Sequence, residues 1–283
     1  MNPLLLQFAN GSAFFAGIVL AVCALFFRRW AKRRVLRSVL TIVAVLGAVF
    51  AVMSATPQPV WAYAFWLALF LVALFLPDTR FSAATSTAQG LLVILSLGLC
   101  VAELPYHLTP AIPVSAGQPV YVVGDSISAG VTDKELTWPK ILGETSGLTV
   151  VNLARPGATL KTGLDQARGI TDAGALVFIE LGGNDLLAGT DSRTFELQLD
   201  ELLASVGRLD ARVAMFELPL PPLYNAFGAA QRTLAAKHGV TLIPKLYLTS
   251  AFGCKDGTID GLHLSQHGHR ALADMVSDII ETD

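Results

Sequence analysis

Four apolar runs fill the first hundred residues, at 13–27, 35–54, 60–76 and 88–103. A membrane-spanning helix needs roughly 17–25 mostly apolar residues. The second run meets that length, the third sits at its lower limit, the fourth has a short apolar centre, and the first extends back toward Pro3. Short polar loops separate them, a pattern that predicts four transmembrane helices rather than the buried helices of a soluble core. From residue 118 the period changes. Short apolar runs at 119–123, 149–153, 175–181, 212–217 and 240–243 read as strands. Between them lie helical patterns. One starts at Thr137, with Pro139 in its first turn and Gly147 at its end; another repeats Phe195, Leu199, Leu202, Leu203, Val206 and Leu209; a last runs over 265–280. Alternating strands and helices imply right-handed crossovers and a parallel sheet covered on both faces.

Composition sharpens the division. The chain is 53% hydrophobic and only 15% charged, with a net charge of −2. That balance excludes a disordered chain and a nucleic-acid binder. Residues 1–117 carry a net +5 and residues 118–283 a net −7. The basic cluster Arg28, Arg29, Lys32, Arg33, Arg34 and Arg37 follows the first run, whereas residues 1–27 hold no Lys or Arg. A cleaved signal peptide has the opposite order. The positive-inside rule puts that cluster in the cytoplasm. The loop 77–89, with Arg80, is then also inside. Four spans leave everything after Glu103 outside the cytoplasm, on the periplasmic or extracellular side of a plasma (inner) membrane. Trp61, Tyr63 and Trp66 fall near the outer end of the third helix, as a lipid-facing belt or as packing surface. No Asp, Glu, Lys or His lies inside a run, Glu103 standing at the very end of the fourth, so no transport path is indicated. Residues 104–117 hold three prolines and no charge, and read as a semi-rigid linker. The domain boundaries are therefore 1–103, 104–117 and 118–283.

Ligands of a parallel α/β sheet bind beyond the carboxyl ends of its strands. Four turns occupy those ends: Gly124-Asp125-Ser126-Ile127-Ser128, Arg155-Pro156-Gly157-Ala158, Gly182-Gly183-Asn184-Asp185 and Asp260-Gly261-Leu262-His263. A serine hydroxyl needs a base to take its proton. His263 is a candidate base, with Asp260 to hold its tautomer. The amides of Ser126 and Gly157 and the side-chain amide of Asn184 are candidate oxyanion donors. Ser128 is a second candidate nucleophile, deeper in the turn. Asp125 and Asp185 read as turn-holding acceptors. His263, His267 and His269 lack the thiolate or second acid of a metal site, so no metal and no cofactor is expected. Cys254 reads as a packed thiol. The segment 218–224 (LPLPPLY) is either a rigid loop packed on a helix or one wall of an acyl groove.

In this order, these four turns resemble the SGNH (GDSL-type) hydrolases over the whole of residues 118–283. The segments Thr137-Trp138-Pro139, Glu180-Leu181 and Leu218-Pro219 are most similar to the bacterial thioesterase I/lysophospholipase group, which lacks the N-terminal helices. The resemblance implies a flavodoxin-like three-layer fold and cleavage of esters or thioesters without a metal. It puts the nucleophile on Ser126, the oxyanion donors on Ser126, Gly157 and Asn184, and the acid–base pair on Asp260 and His263. The expected protein is a membrane-anchored serine esterase acting through an acyl-enzyme on an envelope lipid or acylated glycan. An acyltransferase or deacetylase of envelope polysaccharide would use the same residues. A non-catalytic envelope assembly subunit would not need the intact set.

Overall fold

The computed structural model describes residues 2–75, 83–132 and 134–282. The chain divides into a helical unit, residues 7–105 with 220–225, and an α/β unit, residues 1–6, 106–219 and 226–283.

Apolar helices occupy Ser12–Arg28, Arg34–Met53, Val60–Phe75 and Ala83–Glu103, preceded by a short helix Pro3–Ala9. The first run does not extend back in a straight line. Gly11 takes a left-handed conformation, the Asn10 side chain accepts from Ser12 N–H at 2.9 Å, and the axis turns by 92°. Ser12–Arg28 and Arg34–Met53 meet backbone to backbone: a Cβ on Gly17 would lie 2.4 Å from Ala51 N, and one on Gly47 2.5 Å from Ala21 N. Small residues permit such approach where lipid supplies no hydrophobic drive between helices. Trp66 is fully buried, stacks on Phe70 and donates from Nε1 to Ser96 Oγ at 2.8 Å, whereas Trp61 is exposed. The aromatic group thus divides between packing and surface. Glu103, at the end of its helix, is buried and accepts from Gln58 Nε2 at 3.2 Å.

By length and composition, two helices can cross a membrane, Arg34–Met53 and Thr85–His107, and a third if Pro3–Ala9 and Ser12–Arg28 form one bent span. Val60–Phe75, at 16 residues, is shorter. Among the described residues two or three of the four expected spans meet this criterion, so parity alone does not assign the α/β unit to a side. The run that looked shortest ends in the longest helix. Its polar beginning lowers the local hydropathy, yet Ser86 and Gln89 accept from Arg29 Nη2 and Nη1 at 3.2 and 2.7 Å. Residues 77–82 of the expected inner loop, with Arg80, lie outside the described residues, and 83–89 belong to the helix.

The α/β unit holds strands β1 (Ile112–Val114), β2 (Val120–Gly124), β3 (Val150–Asn152), β4 (Leu176–Glu180), β5 (Arg212–Phe216), β6 (Thr241–Ile243) and β7 (Ile280–Thr282). Five form a wholly parallel sheet in the order β3-β2-β4-β5-β6. β2 and β4 are buried along their whole length, as strands covered on both faces must be. One face carries Trp138 and Leu142 of helix Trp138–Ser146 and Leu272 and Val276 of helix Gln266–Ser277. Trp138 meets Phe178 and Phe216 edge-on at 5.9 and 5.7 Å. On the other face Gly163, in helix Leu160–Ala167, brings its backbone against Leu181, Leu202 and Val123.

Two strands depart from expectation. β1 lies inside the presumed linker and pairs in parallel with β7. Ile112 and Val114 enter the main core, and Ile112 N–H donates to Ile279 O at 2.7 Å. Pro113 points outward between them, where a short strand needs no donor. β7 takes the place of the last helical turn, since Gln266–Ser277 stops before Ile280.

Candidate active site

β2 and β4 deliver the two central turns side by side. Asp125 caps the four-residue helix Ser126–Ala129, its Oδ1 accepting from Ile127 N–H at 2.9 Å. This places half-buried Ser126 at the first helical position, with Gly130 at a positive φ behind it. Gly182 takes φ +114°, and a Cβ there would strike Leu218 and Phe195 at 2.8 and 2.9 Å. The glycine requirement is therefore both conformational and steric. Asn184 follows, in helix Gly183–Leu187.

A chain of hydrogen bonds joins three of the four expected turns. Asn184 Nδ2 donates to Asp125 Oδ2 and to Ala158 O, both at 3.0 Å. Asp185 Oδ2 accepts from Leu160 N–H at 3.0 Å, tying the same turns together once more. Gly157 sits exposed at φ +74° with nothing within 4 Å of where a Cβ would be. Its glycine is set by the backbone angle, and the space beside it is open.

The fourth turn is self-contained. Asp260 Oδ1 accepts from the amides of Leu262 and His263 at 2.9 and 2.8 Å, and Oδ2 from His263 Nδ1 at 2.7 Å. Those bonds, led by the His263 amide, hold the Asp260 carboxyl well below the usual carboxylate range. The Asp260 side chain is 52% exposed and that of His263 30%. Among the described residues Ser126 Oγ has no hydrogen-bond partner; nucleophile–base bonds often tighten only when substrate is bound.

The family model for GDSL-like lipases and acylhydrolases matches residues 122–271. The chain belongs to the GDSL-like lipase/acylhydrolase family. It is 29% identical over 177 residues to thioesterase 1/protease 1/lysophospholipase L1 of Escherichia coli, covering 58% of this chain and 83% of that protein. It is 31% identical over 164 residues to the esterase TesA of Pseudomonas aeruginosa, covering 53% and 81%. In structure it matches the esterase EstA of Pseudoalteromonas with a TM-score of 0.51 at 22% identity, over 57% of this chain and 95% of that one, a likeness of fold. The α/β unit is thus an ester hydrolase with the parallel SGNH fold.

Other candidates in the hydrolase settle into packing roles. Ser128 is fully buried; its Oγ donates to Glu180 Oε2 at 2.9 Å and accepts from Trp138 Nε1 at 3.0 Å. A residue so enclosed cannot attack an ester. His269 is buried, accepts from Trp138 N–H at 3.3 Å and is held below the usual imidazole value by burial. Cys254, half-buried, donates to Ala251 O. Leu218 and Leu220 are buried, and Leu220–Asn225 group with the helical unit, where Leu220 N–H donates to Ala9 O at 3.2 Å. Leu218 and Leu220 thus fit the packed-loop alternative, whereas Leu223 and Tyr224 are exposed.

Three supporting residues had no role in the sequence reading, although Trp138 and Glu180 stand in segments that carry the resemblance. Glu180 ends an otherwise apolar strand, and burial pushes its carboxyl well up, reinforced by the nearby Asp125. Burial also raises Asp125, to about 6. Gln166 is buried and clasps Gly124 twice, accepting from its N–H and donating to its C=O, each at 2.9 Å. Trp138 reaches through the core to Ser128. Each is a polar group standing in an apolar run or face, which is the signal that could have found it.

Proposed function

We propose that the hydrolase cleaves acyl esters through a Ser126 acyl-enzyme, with His263 as base and Asp260 as its orienting carboxylate. The observations that carry this reading are the bonded chain from Asp125 through Asn184 to Ala158 and the Asp260–His263 pair. His263 Nδ1 is engaged by Asp260, which leaves Nε2 for the serine. Ser126 Oγ attacks the acyl carbon as its proton passes to His263. The resulting oxyanion is held by the amides of Ser126 and Gly157 and by Asn184, whose amide hydrogen turns to it from Ala158 O. His263 then gives the proton to the departing alcohol or thiol. Water, deprotonated by the same histidine, releases the acid.

For substrate, the reading is a single-chain lipid ester of the cell envelope. Exposed apolar side chains flank three of the four turns: Val131 beyond Ser126, Leu187 beyond Asn184, and Ile259 and Leu262 beside Asp260 and His263. The E. coli relative is named a thioesterase and lysophospholipase. The apolar helices would hold the enzyme at the bilayer. With the basic cluster 28–37 in the cytoplasm, crossing by all three later helices leaves the catalytic unit outside.

Nitrophenyl esters from acetyl to myristoyl, kept below their micelle concentrations, test the substrate. Burial of a methylene is worth up to about 0.8 kcal/mol, so kcat/KM should climb severalfold per carbon over short chains and then level. A maximum at acetyl would favour a deacetylase or acetyltransferase of envelope glycan. For topology, external protease on spheroplasts should remove a tag placed after residue 283 and spare one at Ala31. The reverse result would put the catalytic unit inside.

A further inference from the structure

Behind Ser126 lies a polar cluster that the proposed chemistry does not use. Asp125 and Glu180 are 4% and 3% exposed, and Asp125 N–H lies 3.4 Å from Glu180 Oε2, which brings the two carboxyls together at the ends of adjacent strands. Two buried carboxyls in contact share one proton, because two adjacent charges in such a place are prohibitively unfavourable. The partners decide where it resides. Asp125 accepts at both oxygens, from Ile127 N–H and from Asn184 Nδ2, so it serves as the anion. Glu180 accepts at Oε2, from Ser128 Oγ at 2.9 Å and Asp125 N–H at 3.4 Å, which leaves Oε1 to carry the proton. His263 and Asp185 are the other ionisable groups whose charges act on Asp125.

We infer that Glu180 is a positioning residue: as a neutral acid it donates to the Asp125 carboxylate, and Asp125, so fixed, holds the Asn184 amide in place as an oxyanion donor. The relay runs from the end of β4 through the nucleophile turn and back to the turn that follows β4. It rests on the reading of Asn184 as an oxyanion donor. Ser128 and Trp138 complete it by fixing Glu180 Oε2 from the core.

The test is a cycle of variants in the full-length protein, with kcat and KM measured on a short-chain nitrophenyl ester. Glu180→Gln keeps one donor and one acceptor and should stay within about threefold of wild type. Glu180→Leu keeps the volume and loses both, and kcat should fall on the order of 10–100-fold with KM within threefold. In an Asn184→Ala background the same Glu180→Leu change should cost less than about threefold more, since its effect passes through Asn184. Full additivity, or a Glu180→Gln enzyme as slow as Glu180→Leu, would overturn the relay. Asn184→Ala alone serves as the control: an unchanged kcat there would remove the oxyanion reading itself.

Discussion

The two halves of the catalytic rim are built in opposite ways. The Asp260–His263 turn holds itself: one carboxylate takes three donors within three residues, at the surface, and needs nothing from the rest of the fold. The Ser126 turn is held from afar. Its neighbours Gly124, Asp125 and Ser128 are bonded to Gln166, Asn184 and Glu180, each on a different element, with Gln166 and Glu180 buried and Asn184 half-buried. Their carboxyls shift in opposite directions for the same reason. Donors without burial lower Asp260, and burial outweighs the donors at Asp125. A base that must rotate and exchange protons sits on a light local turn, and a nucleophile that must not move is anchored in the core.

That contrast can be broken most forcefully at its centre. Ser126→Ala should lower kcat by at least about 10⁴-fold, the scale seen for loss of a nucleophile, and abolish fluorophosphonate labelling. Label surviving in that variant would end the serine assignment. Asp260→Ala comes next, with a loss of about 10²–10⁴-fold in kcat. Its melting temperature should nonetheless stay within a few degrees of wild type, as an exposed, local turn supports little else. A large melting shift would mean the turn is not self-contained.

A smaller effect separates the halves by pH. Asp125 is raised from the reference of about 3.9 to about 6, so the folded state binds its proton more tightly than the unfolded chain. Stability from this group is present below about 4, falls as pH rises to about 6, and stays flat above. Its full size is roughly 3 kcal/mol at about 1.4 per unit. Asp260, being lowered, works the other way: its contribution is present above about 4 and is lost as pH falls further. Subtracting an Asp125→Asn melting profile from that of wild type should expose the joint slope of the Asp125–Glu180 pair, and identical profiles would refute it. Smallest of all, Ser128→Ala should keep its label and lose about 1–3 kcal/mol in denaturant, because Trp138 Nε1 is left without its acceptor.

How much of this was legible follows the same line. The Asp-x-x-His turn could be read whole, since its interactions lie within four letters. β2, β4 and β5 were legible as apolar runs with little ambiguity, because a strand buried on both faces has no polar alternation to hide it. Glu180 and Gln166 were not, since their partners lie 52 and 42 residues away and only the fold brings them together. β1 was hidden by Pro113, which made a strand look like a linker, and β7 by Ile279 and Ile280, which continue a helical stripe until pairing with β1 claims them. Among the helices, hydropathy found every apolar run but misjudged length, since the satisfied polar start of the last one counts against it in a sliding sum.

The pairing of β1 with β7 has a consequence for biogenesis. β1 follows the last apolar helix and is made early; β7 is made much later. Ile112 and Val114 must wait, unpaired and apolar, through some 165 residues of synthesis before Ile280–Thr282 arrives to cover them. The catalytic unit therefore completes its fold only after translation of its final strand. A stop codon before Ile280 would leave every catalytic side chain encoded and yet yield a domain that chaperones hold and proteases remove.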